Sequence, residues 1–294
     1  NLTATGKTVS LDGGDDDDTL NAQGQLWNSG SNSTVFQGSA TLLGGKGKDN
    51  LNVSFYSTAE LRGGDGNDYL NASSTRNSSL YGEAGDDTLN VSLNPWTTRQ
   101  TDGNEKLSKS ALLDGGDGND NLNVTGNSYT YNGRADITAK GASGDDTISI
   151  TDSNAGSYSS NDGKNYGFAS VNVDGGSGKD RISVSGSLQT SITTGAESDT
   201  VLLTAQQYRT LLEGPRVIQN ADGSSSVVNA DPITITDFTA GNGGDILDYG
   251  DLLRNGTLSY DGSNPFSTGF LSLSQSGSDT LLRFDADGTA GTAK

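Results

Sequence analysis

The sequence predicts an all-β fold, a parallel β-solenoid of about eight coils with a C-terminal capping region. Three observations predict it: a nonapeptide rich in Gly and Asp that recurs, a smallest separation of 19 residues between copies, and three columns of apolar residues that line up across the copies.

The repeat is clearest at Gly63-Gly64-Asp65-Gly66-Asn67-Asp68-Tyr69-Leu70-Asn71. One such stretch reads as a loop, because glycine adopts positive φ without steric cost and Asp and Asn tolerate tight turns. Recurrence changes that reading. Aligned on the sixth residue, the chain runs GGDDDDTLN to Asn21, GGKGKDNLN to Asn52, GGDGNDYLN to Asn71, GEAGDDTLN to Asn90 and GGDGNDNLN to Asn123. Looser copies, GASGDDTIS, GGSGKDRIS and TGAESDTVL, end at Ser149, Ser183 and Leu202. Only the sixth position is Asp in every copy: Asp18, Asp49, Asp68, Asp87, Asp120, Asp146, Asp180 and Asp199. Their separations are 31, 19, 19, 33, 26, 34 and 19, so 19 residues make one coil and the longer intervals carry insertions of 12, 14, 7 or 15.

The columns give the coil its strands. Position eight is Leu20, Leu51, Leu70, Leu89, Leu122, Ile148, Ile182 and Val201, and position ten is Ala22, Val53, Ala72, Val91, Val124, Ile150, Val184 and Leu203. Alternation with polar neighbours is the period of a strand, with the ninth-position Asn or Ser facing outward. A third column, Leu11, Leu42, Leu61, Leu80, Leu113, Ala139, Val173 and Ile192, stands two residues before each repeat and belongs to a return strand. Stacking buries these rows along an axis, which no single coil achieves alone. Eight coils at about 4.8 Å run roughly 38 Å. The glycine-rich hexamer is then the corner between return and forward strands.

Composition sets the limits. The chain has 294 residues, enough for one large domain or two ordinary ones, but only 30% are hydrophobic and 42 are Gly. By composition alone such a chain would be disordered, and periodicity decides otherwise. Lys plus Arg number 18 against 37 Asp plus Glu, a formal charge of −19 that repels nucleic acid and anionic membranes and attracts cations. Without Cys there is no disulfide framework, and without His there is no Ser-His or Cys-His pair and no HExxH site. No apolar run approaches a membrane span, NLTATGKTVS is not a secretory signal, and a start without Met reads as a fragment or a processed product.

Stacked corners bring aspartates of successive coils about one strand spacing apart, where like charges repel. A cation between them relieves this. Dense carboxylate and carbonyl oxygens suit Ca²⁺, whereas Mg²⁺ retains its water.

The repeats resemble the RTX calcium-binding nonapeptide, GGxGxDx followed by a large apolar residue and any residue, which folds as a parallel β-roll. The resemblance implies that carboxylates and glycine-region carbonyls of neighbouring turns share each ion and that calcium drives folding. It carries over to Asp49, Asp68, Asp87, Asp120, Asp146 and Asp180, and to Asp18, in whose unit Asp16 replaces the fourth-position Gly. Asp199, with Glu197 where Gly belongs, is left out. The implied backbone positions are Gly44, Gly63, Asp65, Gly66, Gly82, Gly85, Gly115, Asp117, Gly118, Gly141, Gly144, Gly175 and Gly178. Return turns lack the motif, so a single calcium ladder is expected on one edge, with the other edge metal-free. About seven Ca²⁺ would move the charge from −19 to about −5.

The solenoid is assigned to residues 1–203 and a cap to residues 204–294. Thr204 reads as the N-cap of a short helix, with Gln207 at the capping-box position, Tyr208, Leu211 and Leu212 on one face, and Gly214-Pro215 as the stop. Asn220 to Asn229 reads as a polar loop. Ile233–Leu253 and Phe270–Gly291 resemble the C-terminal target region of type I secretion substrates, although family members continue beyond the point where this chain stops, at Lys294. Within it, Asp245 in AGNGGD reads equally as a further cation ligand or a plain turn.

The insertions carry Trp27 and Trp96 with Phe36, Tyr129, Tyr131, Tyr158, Tyr166 and Phe168, and they leave the edge opposite the aspartates. Such aromatics contact a glycan, a partner protein or a second copy, or else pack as small clusters over the solenoid. Triplets such as Asn52-Val53-Ser54 arise from the coil's outward Asn and are discounted as glycosylation signals. The favoured function is a calcium-dependent structural module of a secreted or cell-surface bacterial protein, such as an adhesin, surface-layer or filament subunit, exported by type I secretion. The alternatives are a glycan-binding module or the non-catalytic C-terminal portion of a secreted polysaccharide-active enzyme. The sequence offers no base constellation for catalysis.

Overall fold

The computed structural model describes the chain except for residues 25–26, 29–33, 36–37, 94–108, 127–134, 154–167, 213–215, 220–224, 229–230, 258 and 289–294. Strands follow the alternation read above. In chain order they begin with β1 (Leu2–Thr5), β2 (Thr8–Asp15), β3 (Thr19–Gln23), β4 (Trp27–Asn28), β5 (Thr34–Val35), β6 (Ser39–Lys46) and β7 (Asn50–Ser54). Next come β8 (Thr58–Asp65), β9 (Tyr69–Ser73), β10 (Asn77–Ala84), β11 (Thr88–Ser92), β12 (Lys109–Asp117) and β13 (Asn121–Gly126). The run closes with β14 (Ala135–Ser143), β15 (Thr147–Asp152), β16 (Phe168–Ser177), β17 (Arg181–Ser185), β18 (Ser187–Ala196) and β19 (Thr200–Leu202). β4 and β5 form a small antiparallel hairpin within one insertion.

The strands alternate between two parallel sheets. A forward sheet runs β1-β3-β7-β9-β11-β13-β15-β17-β19, and a return sheet runs β2-β6-β8-β10-β12-β14-β16-β18. Register follows the repeat: Leu51 pairs with Leu70 and Leu70 with Leu89, while Leu42 pairs with Leu61 and Leu61 with Leu80.

The predicted apolar columns form the core, with Leu51, Leu70, Leu89, Leu122, Ile148 and Ile182 wholly buried on one side and Leu42, Leu61, Leu80 and Leu113 on the other. Each contributes about 1.5–3 kcal/mol relative to exposure. A fourth inward row, unread in the sequence, lies on the return strands: Val9, Ala40, Ala59, Ser78, Ala111, Ile137, Val171 and Thr190. Its Ser, Thr and small Ala hide it from an apolar count. Phe168 joins this main core. Trp96, Phe36, Tyr129, Tyr131, Tyr158 and Tyr166 lie outside the described residues.

The stack continues past Leu203. After α1 (Ala205–Leu212) and the antiparallel pair β20 (Arg216–Gln219) and β21 (Ser225–Val228), strand β22 (Thr234–Ile235) pairs with β18. Strand β23 (Ile246–Asp248) pairs with β19, so a further coil with its own corner is laid on. A small second core of Leu253, Phe270 and Leu271 joins α2 (Gly250–Gly256) to the hairpin β24 (Leu271–Ser276) and β25 (Asp279–Phe284). Part of the expected 220–229 loop is therefore strand, because Ser225–Val228 finds an antiparallel partner in Arg216–Gln219.

Helix α1 begins as predicted, with Gln207 N–H donating to Thr204 Oγ1 at 3.1 Å. The reciprocal half of the capping box is absent. Gln207 instead accepts from Ser187 N–H at 3.0 Å and donates to Ser187 O at 2.8 Å, tying the helix to the return sheet. The buried positions are Ala205, Gln207 and Thr210, and Leu212 is 58% exposed, so the face with Tyr208, Leu211 and Leu212 is not the wholly buried one. Tyr208 packs edge-on against Phe284 at 4.6 Å. Gly214 and Pro215 lie outside the described residues. No helix among the described residues is long and apolar enough to cross a membrane.

Candidate functional site

The return strands run on through the first three residues of each nonapeptide, so the corner is shorter than the hexamer expected from sequence. It is three residues long in every repeat: 16–18, 47–49, 66–68, 85–87, 118–120, 144–146, 178–180 and 197–199. The ladder skips position one and resumes at positions two and three, and the chain bends through a positive φ at position two, as at Gly64 (111°). Glu83 and Ala142 hold the same bend at 77° and 80°, a strained region for residues with a Cβ.

Each corner delivers its aspartate inward. The backbone N–H of Asp49 donates to Asp68 Oδ1 at 2.7 Å, that of Asp68 to Asp87 at 2.7 Å, and that of Asp87 to Asp120 at 2.7 Å. The file begins with Asp18 N–H on Asp49 Oδ1 and continues through Asp146 and Asp180 to Asp199. One carboxylate oxygen per coil thus satisfies a corner N–H of the coil before it.

The other oxygen has no such partner. Oδ2 of Asp49, Asp68, Asp87, Asp120, Asp146, Asp180 and Asp199 is buried and finds no hydrogen-bond partner among the described residues. An unpaired buried carboxylate oxygen is costly unless a proton or a cation meets it. Burial, opposed by the N–H bonds and reinforced by neighbouring carboxylates, pushes Asp68, Asp120, Asp180 and Asp199 up to about 6 and Asp87 and Asp146 up to about 7. Asp49 is raised by the same causes.

The ends of the file differ. Asp18, whose side chain is 18% exposed, has its Oδ1 3.4 Å from the amino group of Asn1. At the far end Asp245 Oδ1 accepts Asp199 N–H at 3.0 Å, and its Oδ2 accepts Thr239 N–H at 2.7 Å and Thr194 Oγ1–H at 3.3 Å. Asp245, read from sequence as ligand or turn, closes the file with both oxygens satisfied by the chain. Asp199, left out because of Glu197, has the full interior geometry: Glu197 takes φ 79°, and its Oε2 accepts Gly178 N–H at 2.6 Å.

The glycines fall into two sets. A Cβ on Gly44, Gly63, Gly82, Gly115, Gly141 or Gly175 would collide with Oδ2 of its own coil's aspartate and with the carbonyl of the matching residue in the next coil. These carbonyls and the orphaned Oδ2 atoms therefore converge beside one bare Cα. A Cβ on Gly66, Gly85, Gly118, Gly144 or Gly178, all at φ between 121° and 135°, would strike the carbonyl of the corresponding glycine one coil before. Asp65 and Asp117 are exposed, and their backbone carbonyls accept the N–H of Gly47 and Gly85.

A second, outer file escaped the sequence reading. Fifth-position side chains accept the fifth-position N–H of the following coil: Asn67 from Asp86 at 3.1 Å, Asp86 from Asn119 at 2.8 Å, Asn119 from Asp145 at 2.7 Å and Asp145 from Lys179 at 2.7 Å. The inner file reaches back one coil and the outer file reaches forward, so each corner is held from both sides. The frequent Asp or Asn at position five was the signal, since these side chains bond nearby backbone readily.

Among the described residues no three Asp, Glu, His or Cys side chains gather closely enough to hold a metal by themselves. An ion on this edge would need the glycine carbonyls as well as the carboxylates. That all-oxygen donor set fits a hard cation of calcium type. No protein-family model, curated protein or solved structure matches the chain.

Proposed function

We propose that the chain is a calcium-dependent structural module of a secreted or cell-surface bacterial protein. One observation carries the reading: seven buried aspartate oxygens, in file one coil apart, meet no hydrogen-bond donor among the described residues. The resemblance of the nonapeptides to RTX repeats supports calcium, and the resemblance of residues 233–291 to type I secretion targets supports export from a Gram-negative cell. The residues that would hold the ions are Asp49, Asp68, Asp87, Asp120, Asp146, Asp180 and Asp199 with the position-one glycine carbonyls. Bound calcium would supply the positive charge that lets these carboxylates stay ionised at neutral pH.

The chain's own residues do the rest. Oδ1 of each aspartate fixes the corner before it, bare glycine Cα atoms admit the carboxylates, and leucine rows hold the coils in register. With their Oδ1 atoms committed to backbone N–H groups, these acids serve as scaffold and not as general acids or bases. Ions that bind only the folded form each stabilise it by RT ln(1 + [L]/Kd), and extracellular sites commonly have Kd of about 10⁻⁴ to 10⁻³ M. Far-ultraviolet circular dichroism at pH 7.5 tests this: the signal is expected to pass from coil to β on adding millimolar calcium to chelated protein. A complete β spectrum in excess chelator would overturn it.

A further inference from the structure

The outward face of the forward sheet stands apart from the rest of this acidic molecule. Along β3 to β15 its side chains are Asn, Thr, Ser, Gln and one Tyr, and on β17 the only charge is Arg181. The outward face of the return sheet, by contrast, carries Glu60, Arg62, Asp114, Asp136, Lys140 and Asp174. In a chain of net charge −19, an uncharged tract of this length marks a surface suited to an uncharged partner.

Its chemistry is ordered. Register places Asn52, Asn71 and Asn90 in one row, extended by Asn21 and Asn123. Asn71 Nδ2 donates to Asn52 Oδ1 at 3.4 Å and Asn123 Nδ2 to Asn90 Oδ1 at 3.2 Å along the axis, while Asn52 Nδ2 donates to Asn50 Oδ1 at 2.6 Å and Asn123 Nδ2 to Asn121 Oδ1 at 3.0 Å within their own strands. Each amide has two N–H donors and a carbonyl with two lone pairs, more capacity than these contacts use. Tyr69, 40% exposed, stands beside the row. A shallow trough of about 340 Å³ runs across the same face, lined by Thr3, Asn21, Gln23, Asn52, Ser54 and Asn71.

We propose that this face binds an extended, uncharged polysaccharide lying along the solenoid axis. The Asn row would exchange hydrogen bonds with sugar hydroxyls, and Tyr69 would offer its ring to the apolar face of a pyranose. The row repeats at about 4.8 Å, comparable with the advance of a sugar unit in an extended chain. A second copy of this protein fits less well, because the face lacks the apolar centre of a protein interface. The proposal holds whatever occupies the aspartate edge.

The test is retention of the full chain, in calcium, on amorphous cellulose, chitin and amylose, with Asn71→Asp/Asn90→Asp placing charge in the row and Ser79→Asp placing it on the return sheet. Circular dichroism checks that each variant is folded, and Tyr69→Ala serves if the double variant is not. Expected is retention on at least one of these polymers, weakened about tenfold or more by the forward-sheet changes and not by Ser79→Asp. The proposal is overturned by no retention, or by retention indifferent to the forward-sheet changes. It is equally overturned if sedimentation shows those changes dissolving a dimer, which would make the face a contact between copies.

Discussion

The two edges of the coil obey different rules. Where return strands pass into forward strands, eight corners have the same three-residue length, and each holds an inner aspartate. Where forward strands pass back, the connection ranges from Gly186 alone to residues 93–108 and 153–167. The difference teaches what fixes length in this fold. At the aspartate edge every corner donates to and accepts from its neighbours, so an added residue breaks two files at once. At the other edge closure costs only loop entropy, which grows slowly with length.

The comparison breaks most plainly under insertion. Two glycines added between Asn67 and Asp68 are expected to cost more than about 4 kcal/mol, or to abolish cooperative unfolding by urea, whereas the same insertion within residues 94–108 should cost under about 1 kcal/mol. Equal costs would remove the distinction between the edges. Next in size is the contrast across one strand. Leu70→Ala should lose about 2–5 kcal/mol, and the adjacent outward Asn71→Ala about 0.5 kcal/mol, in the same urea titrations.

Charge sharpens the contrast further. Asp87→Ala strands the N–H of Asp68 and should cost about 1–3 kcal/mol with or without calcium. Asp87→Asn keeps an acceptor and removes the charge, so its sign should reverse: stabilising in chelator at pH 8, destabilising in calcium. The same sign at both conditions in thermal melts would show that no ion meets this edge.

The pH dependence runs the same way. These carboxyls have folded-state values of about 6 to 7, above the ordinary 3.8, so the ion-free folded chain binds more protons than the unfolded chain between those limits. Stability from these groups is complete below about pH 4 and is lost as pH rises through 6 to 7. In chelator the protein should therefore melt higher at pH 5 than at pH 8, and calcium should narrow the gap.

Much of this was legible because the repeat is regular. Position eight and its neighbours obey a period of two, and the 19-residue spacing fixes the register that pairs Leu51, Leu70 and Leu89. The fourth inward row, on the return strands, was not, since Ser78 and Thr190 sit where an apolar count skips them. Asp199 is obscured in the pattern by Glu197 where glycine belongs, yet Glu197 takes a positive φ itself, and its Oε2 accepts the Gly178 N–H where a position-three carbonyl accepts in other coils. Asp245 lacked the surrounding pattern because its corner needs no orphaned oxygen: Thr194 and Thr239 meet it. Gln207 reads as a cap in one dimension, and only the fold brings Ser187 within reach.

Because Thr58 pairs with Asn77 and Asp68 hands its file on to Asp87, residues 58–76 amount to an interchangeable slice. Cutting them out would join Ser57 to Asn77 with the neighbouring layers already matched in kind, leaving the body shorter by about 4.8 Å and otherwise alike. Length in this molecule is set by counting, and a gene that duplicates or deletes such slices has a ready means of tuning how far the protein reaches.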